Sequence, residues 1–205
     1  MNDLNVIQLE TLNDKFEECI KGVHKIFQKT ETIVPTAIAY SGRTVSVFAL
    51  DCRDDSLKQN SIKWLKIMLI ALEATQYSIF HEAWDITGVK GSGKTLGEIR
   101  KQSPDGLVNV ADRKEVVILS SVSRTNKRIA IFEIIREEGK KAQLKEINRE
   151  DNFGGLFTNL LTKTRPSIEE VRAAKELVES LSCPYVIKNV PKEDPDDNKT
   201  PDPAA

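Results

Sequence analysis

The stretch "GVKGSGKT", Gly88 to Thr95, fills every fixed position of the phosphate-cradling pattern G-x-x-x-x-G-K-[ST]. In such a loop the backbone N–H groups of a tight glycine-rich turn point at phosphate oxygens, and the lysine, here Lys94, reaches the terminal phosphates. Under that reading Gly88, Gly93, Lys94 and Thr95 hold the nucleotide of an NTPase or kinase. The motif, however, needs a buried strand of a parallel sheet before it and a sustained helix after it. Ahead of Gly88, Phe80, Glu82, Trp84 and Ile86 alternate with His81, Ala83 and Asp85, which puts ionisable groups on both sides. That pattern predicts an antiparallel or edge strand with partial exposure. After Thr95, Gly97 and Pro104 leave room for a short helix at best, and the downstream apolar run "EVVILSSVS" ends in serines where a metal-holding acid would stand. The sequence therefore favours a surface loop over a phosphate site.

A second constellation is Glu82, Trp84, Asp112 and Arg113. Glu82 and Trp84 share one strand face, and Asp112-Arg113 stands where the next strand begins. A long hairpin connection could bring Arg113 to Glu82 beside the Trp84 ring, as a clamp or as the rim of a binding pocket. Asp105 with Glu138 and Lys140 echoes the carboxylate–lysine layout of metal-dependent nucleases, but "EEGKK" reads as a hairpin turn rather than a strand, which makes this a remote alternative. His81 and Glu82 are neighbours on a strand and point to opposite faces, so they cannot act on one substrate. His24, on a helix near Cys19, has no ligand set around it. Cys19, Cys52 and Cys183 are too scattered for a zinc site or redox pair. No catalytic residue, metal or cofactor is expected.

The elements that must position these residues follow from periodicity. Leu12, Phe16, Cys19, Ile20, Val23 and Phe27 form one apolar stripe, predicting a helix from Thr11 with Asp14 completing its cap. "TAIAYSGRTVSVFALD" reads as a hairpin turning at Ser41-Gly42, with Val45, Val47 and Ala49 on one face. Asp55 or Ser56 caps a second helix through Ile62, Leu65, Met68, Leu69 and Leu72. "YSIFHEAWDI", "KEVVILSSVS", "KRIAIFEIIRE" and "KAQLKEI" follow as strands. Ser167 and Glu170 frame a capping box for a last helix through Val171, and "YVIKNV" is a final short strand. The expected fold is α+β, a mainly antiparallel sheet with helices packed on one face, in the order α-β-β-α-β-β-β-β-α-β. Residues 1–190 form its single domain and 191–205, rich in proline and acids, a disordered tail.

The chain has 205 residues, a net charge of −1 and 40% apolar residues. That balance gives no strong nucleic-acid signal. No stretch reaches the roughly 20 apolar residues a bilayer crossing needs, so a cytoplasmic protein with reduced thiols is expected.

"IFHEAW", the long loop, "DRKEVVILSSVS" and "KRIAIFEIIRE" together resemble a loosely defined set of uncharacterised bacterial and phage proteins, in which a strand ending in "EAW" precedes a "P…DR-E" strand start. The resemblance spans roughly Thr11 to Asn148. It implies a compact α+β prokaryotic or viral protein and carries over no reaction, ligand or catalytic residue. Where the set has a proline before the "DR" pair, this chain has Val110-Ala111. The combined expectation is a non-catalytic binding module, with an unknown protein partner or a small polar ligand meeting Glu82, Trp84, Asp112 and Arg113. A homodimer is possible if a sheet face is left uncovered.

Overall fold

A computed structural model describes residues 3–42, 44–85, 114–151, 157–161, 164–180 and 186–191. Helix α1 spans Asp3–Thr30, followed by strands β1 (Thr36–Ser41) and β2 (Thr44–Ala49), helix α2 (Asp55–Ala71) and strands β3 (Gln76–Asp85), β4 (Lys114–Ser123), β5 (Lys127–Ile135) and β6 (Gln143–Asp151). Helix α3 (Ile168–Ser180) and strand β7 (Val186–Pro191) complete the described chain. The class is α+β and the order of elements is the one the periodicity predicts.

All seven strands join one sheet in the order β6-β5-β4-β3-β1-β2-β7, and every pairing is antiparallel. Tight turns impose this on β1–β2, β4–β5 and β5–β6, because chain-adjacent strands joined in that way have to run in opposite senses. Gly42 adopts φ +53° at the β1–β2 turn and Gly139 φ +73° at the β5–β6 turn, conformations in which a Cβ is strained. The β5–β6 turn is where Glu138 and Lys140 lie, and the Lys140 ammonium pairs with Glu137 at 2.6 Å.

The helices do not share one face. Every member of the α1 stripe is buried, and it packs with Tyr40, Phe80, Val117, Leu119 and Phe132. Leu65, Met68 and Leu69 of α2 pack instead with Ala37, Ala39, Phe48, Tyr77, Ile79 and Val122. Successive strand residues point to opposite sides, so the sheet is apolar on both: Ile38 and Tyr40 face α1, while Ala37 and Ala39 face α2. The expectation of helices packed on one face fails at the small alanines of β1, Ala37 and Ala39. They are instead the close-packing side beneath α2, and α3 lies against α2 through Val178 of the same cluster.

Other boundaries also move. α1 begins at Asp3, ahead of Thr11. The cap of α2 is Asp54, whose carboxylate accepts from the Leu57 amide at 2.8 Å. The capping box before α3 forms as read: Glu170 N donates to Ser167 Oγ at 3.2 Å and Ser167 N to Glu170 Oε2 at 2.7 Å. β3 is the central strand of the seven, paired with β1 and β4, and not an edge strand. Its mixed polarity is absorbed locally, as the site geometry shows.

The outermost strand β6 is largely exposed and carries Lys145, Glu146, Arg149, Glu150 and Asp151. Arg149 bridges Glu17 of α1, at 2.5 Å, and Glu146, at 2.9 Å, so the helix is fastened to the margin of the sheet. No helix among the described residues is long and apolar enough to cross a membrane.

Candidate functional site

Glu82 sits on the α1 face of β3, half-buried. Its Oε1 accepts the Ile33 amide at 2.6 Å, which ties the α1–β1 connection down onto the central strand. Among the described residues its Oε2 has no hydrogen-bond partner. The connection continues through Val34 and Pro35, and the Pro35 carbonyl accepts from Leu50 N at 2.8 Å. Together with Ala49 to Arg53 these residues enclose a cleft of about 550 Å³, with Glu82 in its wall. Val34 is 64% exposed at the rim.

The opposite lip is charged and tied to α2. The Arg53 guanidinium grips Asp51 through Nε–Oδ1 at 2.9 Å and Nη2–Oδ2 at 2.6 Å, a bidentate contact of the kind that fixes geometry. This contact holds the Asp51 carboxyl below its ordinary pKa. Ser61 Oγ bonds both the amide and the carbonyl of Asp51, at 3.0 and 3.1 Å, and anchors the lip to α2. Cys52 lines the cleft with its thiol pKa raised by burial, against a smaller opposing effect of the Lys58 charge, so the thiolate is disfavoured.

Trp84 lies one step along the same face, 38% exposed, opposite Glu115 of β4. Glu115 receives Arg136 bidentately, at 2.9 and 3.2 Å, and Arg136 also reaches the Glu31 carbonyl at 3.4 Å. Glu31 closes α1 at φ +55°, and its carboxylate accepts the Ala142 amide at 3.2 Å. Hydrogen bonding to Glu115 raises the Arg136 pKa, with smaller contributions from Glu82 and Glu31. One end of the sheet thus gathers Glu31, Glu82, Trp84, Glu115 and Arg136.

The structure brings Glu82 and Trp84 to one face, as their spacing requires. Asp112 and Arg113, and with them the proposed Arg113–Glu82 clamp, lie outside the described residues. So do Gly88, Gly93, Lys94 and Thr95, and Asp105. Sequence reasoning missed Glu31, Glu115 and Arg136. Arg136 and Glu115 stand 21 positions apart and meet only through the β4–β5 register, which pairs Val116 with Glu133.

His81 points to the other face, against the Phe157 ring at 5.5 Å, and its Nδ1–H donates to the Glu82 carbonyl at 3.0 Å. Burial lowers its pKa from 6.5, which keeps the ring neutral. Because the unfolded chain then takes up a proton more readily than the fold, stability is full above about pH 6.5 and declines as pH falls through that value. The urea midpoint should fall between pH 7.5 and 5.5, and less so in His81→Phe; parallel declines in both proteins would show that another group is responsible. His24 meets the edge of Phe132 at 5.1 Å. Among the described residues no group of three His, Cys, Asp or Glu side chains is placed to hold a metal ion.

Comparison with known proteins finds no family model, no curated protein and no solved structure that matches the chain.

Proposed function

We propose that the protein is a binding module whose cleft between the α1–β1 connection and the strand end at Ala49 receives a segment of a partner protein. The observation that carries this reading is Glu82. One oxygen is spent on Ile33 N, and the residue stands in the wall of a cleft bounded by Ile33, Val34, Pro35 and Leu50. An apolar slot with a fixed acceptor suits an apolar side chain next to a group that donates hydrogen bonds, such as lysine, arginine or a backbone amide. Arg53–Asp51 forms a paired charge on its lip, which favours orientation over raw affinity.

The setting of "GVKGSGKT" supports the same ranking. The strand before it, β3, is antiparallel to both neighbours, whereas phosphate loops of the Walker type leave a strand of a parallel sheet.

Selection of peptides from a random display library on the immobilised protein tests the reading. Peptides pairing an apolar residue with lysine or arginine should emerge, and both Val34→Asp and Glu82→Gln should weaken their binding tenfold or more, about 1.4 kcal/mol. Binding indifferent to both substitutions overturns it. So does a rise in melting temperature with ATP and Mg²⁺ that Lys94→Ala abolishes, since a ligand that binds the native state stabilises it.

A further inference from the structure

A second recess lies on the α1 face of the sheet, away from the Glu82 cleft. α1 packs mainly on β3, β4 and β6, and its flank toward the β1–β2 hairpin leaves a groove of about 520 Å³. Ligand pockets commonly fall between about 300 and 1,000 Å³ and are walled by apolar side chains with a few polar groups. Here Val23 and Ile26 stand on the helix side and Ile38, Val45 and Val47 on the strand side. Ile26 is 41% exposed, although it lies next to this apolar surface.

Gly22 forms part of the helix wall. A glycine inside a helix costs about 1 kcal/mol relative to alanine, and such a residue is often retained because another backbone approaches it closely. That reason is missing here, because beyond its chain neighbours and its own helix's backbone no described atom lies within 4 Å of the position a Cβ would take. What the glycine provides is a notch that widens the groove.

The groove floor is polar in composition but self-satisfied. Cys19 Sγ and Tyr40 Oη lie 3.1 Å apart and bond each other, and Ser78 and Ser121 share a hydrogen bond of 2.6 Å behind them. A ligand therefore finds no unmet hydrogen bond at the floor. Lys15, at the lip, is different. Its side chain is 14% exposed and its ammonium lies 6.0 Å from the centre of the Tyr40 ring. Among the described residues its one charged partner is Glu18, whose side chain is 61% exposed. An ammonium has three N–H donors, so a mostly sheltered Lys15 with a single, solvent-exposed partner is matched to an incoming anion.

We propose that this groove binds a small amphipathic carboxylate, with an aliphatic chain between α1 and the β1–β2 hairpin and its carboxylate on Lys15 in place of Glu18. The chain would cover Ile26, Val45 and Val47, which gains roughly 25 cal/mol per Å² of apolar surface removed from water.

Decanoate and decanol, titrated calorimetrically into the full-length protein, test this. Decanoate should bind saturably at one site and at least tenfold tighter than decanol. Gly22→Leu should weaken decanoate at least tenfold by filling the notch, while its melting temperature stays equal to or above wild type, because leucine favours the helix. Lys15→Met should remove the preference for decanoate over decanol and leave decanol affinity in place. Absence of saturable decanoate binding, or equal binding to wild type and Gly22→Leu, overturns the site. Equal affinity for the acid and the alcohol in wild type overturns the assignment of Lys15 to the head group. None of these outcomes depends on Glu82 or the cleft beside it.

Discussion

Phe16→Ala lowers the free energy of unfolding by about 3–5 kcal/mol, the range for removing a buried aromatic ring. Phe16 is fully buried at the centre of the cluster that joins α1 to β4 and β5. Its ring also lies beneath two guanidinium groups, Arg128 at 4.9 Å and Arg149 at 5.7 Å, each drawn to the ring face. Arg128 bonds Asn13 at 2.9 Å and Asp151 at 2.9 Å, so truncation leaves a void and also removes the surface on which both arginines rest. Typical domains are stable by about 5–15 kcal/mol, so the variant sits near the limit of folding. Urea denaturation followed by circular dichroism measures it, with Phe16→Leu as the volume-retaining control expected to lose less. A loss under 1 kcal/mol in the alanine variant would mean that α1 is not a structural part of the core.

Tyr77→Phe should cost about 1–3 kcal/mol, the penalty for leaving a buried polar group unpaired. The Tyr77 ring is fully buried, and its hydroxyl donates to the Phe157 carbonyl at 2.6 Å while accepting the Leu160 amide at 3.4 Å. Burial also raises its pKa well above the ordinary value, in keeping with a neutral phenol. The segment 157–161 is an irregular stretch with no ladder of its own, so one hydroxyl supplies contacts that a helix or strand would find in its backbone. Hydrogen exchange at the Leu160 amide reports the effect locally. Faster exchange there, with β4 and β5 unchanged, is the expected signature; uniform acceleration across the sheet would contradict a local role for Tyr77.

Local pattern and long-range contact divide what was legible in the sequence. The α1 stripe from Leu12 to Phe27, the Ser167–Glu170 box and the turns at Gly42 and Gly139 are short-range features. Their spacing or their dihedral demand already names the structure. The same holds for Glu82 and Trp84 sharing a face, since alternation along a strand is a property of the strand itself. The partners of those residues were not legible. Glu82 meets Ile33 across 49 positions and Arg136 meets Glu31 across 105. Such contacts depend on strand order and register, which one chain's periodicity leaves open. The placement of helices on both faces was hidden for a related reason: Ala37 and Ala39 are apolar but small, and on an exposed side they would look the same.

The charged margin formed by β6 limits how copies of this chain can associate. Rows of unpaired backbone groups invite further strands, and lysine, arginine and acids along such a row discourage them. With Lys145 to Asp151 occupying one margin, backbone-to-backbone joining of two molecules among the described strands falls to β7, at the opposite end. A union through β7 uses up that end in both molecules and leaves a charged border on each side. Association by this route would terminate at two copies.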